Sequence, residues 1–422
     1  MRILYDIFFI VFAVLYIPYL LVKRKWHKDF FQKFGFLPKD LADIDKPVWI
    51  HAVSVGEAHL AVKLAEKIKK HNPGLRVVVS TTTNTGNEIV RIKGKGVIDA
   101  VFYFPLDLGM IVDRVVRLID PRLYIMVETE LWPNLLNKLH SSGIPVVLAN
   151  GRISGRSFKN YRKTGPIIRR IVSDVDICCM QSESDADRIK ALGVLPEKVF
   201  VTGNMKFDEV PSQDFSSDFS KRSFGFREED NIIIAGSTHF SEEQTVINIY
   251  RHLREKHRNL KLVIAPRHVE RTDAIEVYLA KSGMKYHRFS KIMSASNNTP
   301  DAIDVLLVDT IGHLKDIYRV ATLIFVGGSL VRKGGQNPIE GARLGKPIIF
   351  GPYMYNFKEI SEIFLNGEAA LRVNDEKELT AALDGLLKDH EKRRNLALNA
   401  ERIVKENTGA LDRTLEKIEP LL

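Results

Sequence analysis

Ten short apolar runs rich in branched side chains, separated by segments of helical period, constrain this chain more than any other feature. Five lie in the first half: Val48–Val53, Val77–Ser80, Leu123–Val127, Val146–Asn150 and Val175–Gln181. Five lie in the second: Asn231–Ala235, Leu260–Ala265, Val305–Val308, Leu323–Val326 and Pro347–Phe350. Runs of this kind joined by amphipathic segments read as the strands and crossover helices of parallel sheets. A polar stretch from Phe207 to Glu229, with Pro211, Ser212, Ser216 and Ser217, separates the two sets and reads as a linker. The expectation is an α/β chain with two Rossmann-like domains facing across a cleft, over residues 29–208 and 230–400. Residues 209–229 would link them, and residues 401–422 would form a helical tail. A chain of 422 residues is ample for two hydrophobic cores. No repeat or low-complexity tract interrupts the pattern.

The formal charge of +10 calls for an anionic neighbour, and the N-terminus narrows the choice. Ile3 to Val22 is apolar over about the length that crosses a bilayer, interrupted only by Asp6 and Pro18. Lys23, Arg24, Lys25 and Lys28 follow at once, with Trp26 among them. A basic stop in place of a small-residue cleavage site reads as an uncleaved anchor over residues 1–28, holding the bulk of the chain on the cytoplasmic side of the inner membrane. Asp6 is costly in hydrocarbon, and Tyr5, Tyr16 and Tyr19 suit a shallow position, so spanning and interfacial placements both stay open. Cys178 and Cys179, the only cysteines, are adjacent in a strand-like run and offer neither a disulfide framework nor metal spacing.

The densest constellation is FVGGSLVRKGGQNPIEGARLGKPIIFGPYMYNF, Phe325 to Phe357. A strand ends in Gly327–Gly328, a second pair follows at Gly334–Gly335, and Asn337–Pro338 opens a helix. N–H groups at such a start can hold phosphate, and glycines permit close approach of a ligand. Asn337 and Glu340 also fit plain capping. As a ligand group, Glu340 would accept from both hydroxyls of a ribose. Arg267 and His268 end one strand, Ser237 and Thr238 another, and Thr310, Ile311 and Gly312 a third, so these loops should converge at one sheet edge.

Seven pieces occur in order: HAVSVGE (His51–Glu57), ETELWPN (Glu128–Asn134), NGRIS (Asn150–Ser154), GNMKFD (Gly203–Asp208), AGST (Ala235–Thr238), APRH (Ala265–His268) and GGQNPIE (Gly334–Glu340). Together they resemble the 3-deoxy-D-manno-octulosonic acid (Kdo) transferases. The resemblance implies a glycosyltransferase of the GT-B type that moves Kdo, with inversion, from CMP-Kdo to a hydroxyl of the lipid A precursor. It implies no metal and no cofactor. It assigns Glu57 as the general base, Glu128 and Lys206 as transition-state support, and Ser237, Arg267, His268, Thr310, Ile311, Gly312, Gly335, Gln336, Asn337 and Glu340 to the CMP-bearing donor.

The residues themselves leave other readings beside these. Glu57 could simply favour a helix dipole in the first turn, which would depress its pKa, whereas burial would raise it. Glu130 reads as a cap for the helix starting at Trp132–Pro133, with Trp132 packed in the interior. At Gln336 the family usually has histidine; glutamine keeps a hydrogen bond but loses a charge, so a phosphate contact there would be weaker and independent of pH. Arg152, Arg156, Lys159, Arg162, Lys163, Arg169 and Arg170, with Phe158 and Tyr161 between them, could meet lipid phosphates or be a solvated face. The membrane surface is the expected partner; the absence of a nucleic-acid module argues against nucleic acid. No obligate protein partner is implied. A transferase using a UDP-sugar and a membrane-held nucleotide-binding scaffold are the competing functions.

Overall fold

The structure is a computed structural model of the chain that describes residues 5–7, 29–208, 219–294 and 303–422. Most of the apolar run, together with its basic flank, lies outside the described residues. Among the described residues no helix is long and apolar enough to cross a membrane. The chain forms two compact units, Met1–Glu209 with Thr408–Leu422, and Val210–Asn407.

The first unit is built on a parallel sheet of β1 (Val48–Ala52), β2 (Val77–Thr81), β3 (Ala100–Tyr103), β4 (Leu123–Val127), β5 (Val146–Gly151), β6 (Ile177–Met180) and β7 (Val199–Val201), in the order β3-β2-β1-β4-β5-β6-β7. The order reverses between β1 and β4, the place where a doubly wound sheet opens a crevice at its strand C-termini. One apolar layer gathers Trp49, Phe102, Tyr124 and Met126 under helices Gly109–Ile119 and Pro133–Ser141. The other gathers Ile50, Val79, Ile125 and Val127 under helix Val55–His71.

The end of the chain also belongs to this second layer. Helix Ala410–Ile418 buries Ala410, Leu411, Leu415 and Ile418, each Leu or Ile worth about 1.5–3 kcal/mol. Asp208 accepts from the N–H groups of Gly409 and Leu411 at 2.5 Å each, and so caps the helix start. The terminal helix is thus part of the first unit, while helix His390–Asn407 before it belongs to the second.

The second unit has a parallel sheet of β8 (Asn231–Thr238), β9 (Leu260–Pro266), β10 (Tyr286–Arg288), β11 (Val305–Leu307), β12 (Leu323–Val326), β13 (Ile348–Phe350) and β14 (Ala370–Arg372), in the order β10-β11-β9-β8-β12-β13-β14. Its order reverses between β8 and β12. The sequence pattern misses β3, β7, β10 and β14, and these are the four edge strands. Edge strands are short and half-solvated, so they carry no continuous apolar run. Of the expected linker, residues 209–218 lie outside the described residues. The rest is packed: Phe224 and Phe226 are buried, and Phe219, Phe224 and Phe289 meet ring to ring at 5.2–6.0 Å. Three phenylalanines within a polar stretch outweigh its composition.

Candidate functional site

In the first unit the candidate residues flank the switch point. β1 runs out at Ala52, Ser54 caps helix Val55–His71 by accepting from the Glu57 N–H at 3.3 Å, and Glu57 Oε2 accepts from the Val53 N–H at 2.7 Å. Glu57 is therefore both a first-turn capping acid and a buried carboxylate, held by hydrogen bonds from Val53 and Ser54. Beyond β4, Glu128 sits in the left-handed region at φ 60°, a conformation costing about 1–3 kcal/mol for a non-glycine residue and typical of sites where a side chain must be aimed. Its N–H still pairs with Ala149 O at 2.9 Å, and its Oε1 lies 3.3 Å from Lys206 Nζ.

Lys206 is positioned by a chain of amides. Asn150, itself at φ 54°, accepts from the Met205 N–H at 2.9 Å, and its carbonyl accepts from Gln181 Nε2 at 3.0 Å. Gln181 Oε1 accepts from Asn204 Nδ2 at 2.8 Å, and Asn204 Oδ1 from the Lys206 N–H at 3.0 Å. The loop from Gly203 to Asp208 is thus tied to the ends of β5 and β6, and Asp208 ties it to the terminal helix.

Charge within the cluster is set by burial first. Burial raises the Glu57 pKa, bonds from Ser54 and Val53 oppose it, and the Glu128 carboxylate adds to the rise; the net direction is upward, so the helix start does not win. Burial, then Glu57 and Glu128, push Glu130 up to about 7. Trp132, whose buried indole N–H makes no hydrogen bond of normal geometry among the described residues, opposes this only weakly. The start of helix Pro133–Ser141 is capped by Asp107, which accepts from the N–H groups of Asn134 at 3.1 Å and Leu135 at 2.9 Å, so the expected capping role of Glu130 is not realised; the carboxyl belongs to the acidic cluster. Trp132 packs against Phe104 at 5.4 Å, as expected of a core tryptophan. A carboxylate of raised proton affinity, beside a carboxylate–lysine pair, can accept a proton and offset developing charge.

In the second unit the corresponding loops follow β8 and β12. Glu242, almost wholly buried, accepts from the N–H groups of His239 (2.9 Å), Gly328 (2.7 Å), Ser329 (3.1 Å) and Leu330 (3.0 Å). Burial raises its pKa against these four bonds. Ser329 Oγ donates to Val326 O and accepts from the Gly351 N–H at 2.7 Å, so the loop after β13 joins the same frame. Ser237 is left-handed at φ 54°. His239 stands 5.7 Å from the ring of His268, and its Nε2 lies 3.5 Å from Gln336 Nε2. Burial, then the positive fields of His268, Lys333, Arg267 and Arg271, lower its pKa. The loops around His239 are thus cationic in character.

Residues 28–209 match the 3-Deoxy-D-manno-octulosonic-acid transferase (kdotransferase) family. The 3-deoxy-D-manno-octulosonic acid transferase of Haemophilus influenzae is 33% identical over 394 residues, 93% of this chain and 91% of the relative. That of Chlamydophila psittaci is 32% identical over 424 residues, 99% of this chain and 95% of the relative. The chain belongs to the Kdo transferase family. Among solved structures, the UDP-GlcNAc 2-epimerase of Neisseria meningitidis superposes with TM-score 0.55 at 14% identity, covering 88% of this chain and 100% of its own. A glycosyltransferase of Rickettsia africae superposes with TM-score 0.53 at 12% identity, covering 89% and 98%. These two share the fold, GT-B-like with two α/β units.

For this Kdo transferase family member, the donor residues expected from sequence fall into three groups. Arg267, His268 and Gln336 lie around His239, and Ser237 precedes it by two residues. Glu340 pairs instead with Lys315 at 3.5 Å, bringing the loops after β11 and β12 together. Thr310 Oγ1 lies 2.9 Å from His313 Nδ1, Ile311 is strongly exposed, and Gly312 turns at φ 97°. Two local expectations change. The helix opened by Asn337–Pro338 is a single turn, Ile339–Ala342, with Asn337 Oδ1 accepting from the Ile339 N–H at 3.0 Å. Gly335 gives its N–H to Gly328 O at 2.9 Å, and a Cβ there would stand 2.2 Å from Met354 Sδ. The second glycine pair therefore serves close loop packing, and its amide is not open to a phosphate. Sequence reasoning missed His239, Glu242 and the Asn150–Gln181–Asn204 chain. A histidine one residue beyond the AGST piece and a glutamate three further on, at a helix start, were the available signals for the first two.

Proposed function

We propose that this chain transfers Kdo from CMP-Kdo to a hydroxyl of the lipid A precursor, a bisphosphorylated, acylated disaccharide, with inversion at the anomeric carbon. The observation that carries the reading is the buried Glu57 carboxylate, of raised proton affinity, beside the Glu128–Lys206 pair in a member of this family. Glu57 takes the acceptor O–H proton as the oxygen forms its bond to the anomeric carbon. The bond from that carbon to the phosphate oxygen breaks, and CMP leaves with the electron pair. Lys206 offsets negative charge as the bond breaks, Glu128 holds the ammonium in place, and no metal ion enters the step. Ser237, Arg267, His268 and Gln336 take the anionic part of the donor, while Thr310 to Gly312 and Glu340 take the nucleoside. Among the described residues no group of three His, Cys, Asp or Glu side chains could hold a metal.

The acceptor side of the reading includes a membrane surface on the cytoplasmic face of the inner membrane. Arg156, Lys159, Arg162, Lys163, Arg169 and Arg170 are exposed on helices Gly155–Lys163 and Pro166–Ser173, and among the described residues none of the six is in an ion pair. Unpaired exposed cations next to half-buried Phe158 and Tyr161 suit lipid phosphates. Asp6, the acid that interrupts the apolar run, accepts from Asn134 Nδ2 at 2.7 Å and the Gly109 N–H at 3.2 Å, so it is satisfied by protein. Incubation of the purified protein with CMP-Kdo and the lipid acceptor, read by mass spectrometry, should give acceptor carrying one or more added Kdo units. No adduct, or calorimetric preference for UDP over CMP, would overturn the proposal.

A further inference from the structure

The contact between His239 and Gln336 has a consequence for how the donor's anion is held. His239 follows β8 by one residue, and Gln336 lies in the loop after β12, so the pair spans the switch point of the second sheet. Both lie over Gly328, where a Cβ would stand 3.2 Å from His239 Cδ2 and 3.5 Å from Gln336 Nε2. The charged groups facing the imidazole are Arg267 and His268 from the loop after β9, Arg271 from the turn beyond it and Lys333 from the loop after β12. Glu243 engages Arg271 at 3.0 and 3.2 Å, and Glu242 is occupied by four N–H groups, so neither carboxylate offsets the remaining cations in full.

We infer that His239 and Gln336 form a proton-coupled anion subsite, in which binding of the donor's phosphodiester is accompanied by protonation of His239 and a turn of the Gln336 amide. A neutral imidazole can use its Nε2 lone pair to accept from the amide NH2, which leaves the amide oxygen turned away from the ring, an acceptor that repels phosphate. An imidazolium donates from Nε2–H instead. The amide oxygen must then face the ring, and its NH2 turns away as a donor to the anion. One proton thus adds a positive charge and converts the neighbouring amide from acceptor to donor. Burial first, and then the surrounding cations, disfavour the charged ring; an arriving anion offsets the cations' field and favours it. The pH dependence missing from Gln336 itself is restored through its neighbour.

The inference rests on the donor reading of this site, and the test separates the two. The probe is the methyl diester of CMP, whose single phosphate charge does not titrate between about pH 5 and 9. It is titrated calorimetrically in two buffers of different ionisation heat, so that protons taken up on binding are counted. The full-length protein should take up a fraction of a proton near neutrality and bind about 10-fold more tightly at pH 5.5 than at pH 8, the change that one pKa unit of difference produces. His239→Gln should abolish the uptake and flatten the profile, whereas His268→Gln should retain the uptake. Gln336→Ala should weaken the dependence by removing the amide's reversal. Uptake that persists unchanged in His239→Gln, or no uptake by the unsubstituted protein, would overturn the inference while leaving the donor site standing. Failure of both CMP and its diester to bind would overturn the donor reading itself, and the inference with it.

Discussion

At the switch point of the first sheet, between β1 and β4, the loops carry Glu57, Glu128 and Glu130 against one lysine, Lys206. At the same topological place in the second, between β8 and β12, they carry His239 and Gln336 among Arg267, His268, Arg271 and Lys333. The parallel sheet supplies only the address: loops at strand C-termini, N–H groups at helix starts, and left-handed residues such as Glu128 and Ser237 that aim side chains outward. In the function proposed above, the difference in side chains makes one unit the proton acceptor and the other the anion receptor. Burial shifts both charge sets, acids raised in one and imidazole lowered in the other.

If the first unit performs the chemistry, the largest effect comes from Glu57→Gln. The amide oxygen can still accept from the Val53 N–H, so folding is preserved, and kcat should fall by about 10²–10⁴-fold with CMP affinity unchanged. Lys206→Met should lower kcat by about 10²-fold, again with little change in CMP binding, in a steady-state assay of Kdo transfer. Arg267→Ala tests the other side of the comparison: the dissociation constant for CMP should rise about 10-fold, while kcat at saturating donor stays close to that of the parent.

Two further effects follow from proton affinity. Because Glu57 must be ionised to act and its pKa is raised, kcat/KM should climb as pH rises through that value. Glu128→Gln removes a neighbouring charge and should move this acid limb to lower pH. For stability the sign is fixed by Glu130, at about 7 when folded against 4.5 ordinarily. Unfolding releases its proton between these values, so stability is lost as pH rises from about 4.5 to 7. Glu130→Gln should therefore stabilise the protein at pH 8 by roughly 1–2 kcal/mol after allowance for solvent screening, and by little at pH 4.5, as thermal melts at both pH values will read.

Much of this was legible in the sequence. The ten interior strands announce themselves because both faces of a central parallel strand are buried, and a continuous apolar run is the result. The four edge strands do not, since half their side chains meet solvent. Glu57, Glu128 and Lys206 stand out through their motifs, and the structure brings the last two within 3.3 Å. What could not be read is whatever depends on distant residues meeting. The direction of the Glu57 pKa needed burial and Glu128 to be weighed against a helix start. The departure at Gln336 looked like a lost charge until His239, 97 positions away in sequence, was found beside it. The terminal helix looked like a tail because nothing in its own period says that Asp208, far upstream, caps it.

The most direct test of a division between chemistry and anion binding is a crossed measurement on Glu57→Gln and Arg267→Ala. Each variant is assayed for its CMP dissociation constant by calorimetry and for single-turnover Kdo transfer at saturating CMP-Kdo. The first should lose transfer and keep the parental dissociation constant; the second should bind CMP about 10-fold more weakly and keep the parental single-turnover rate. Parental transfer by Glu57→Gln, or the loss of both quantities together in either variant, would contradict it.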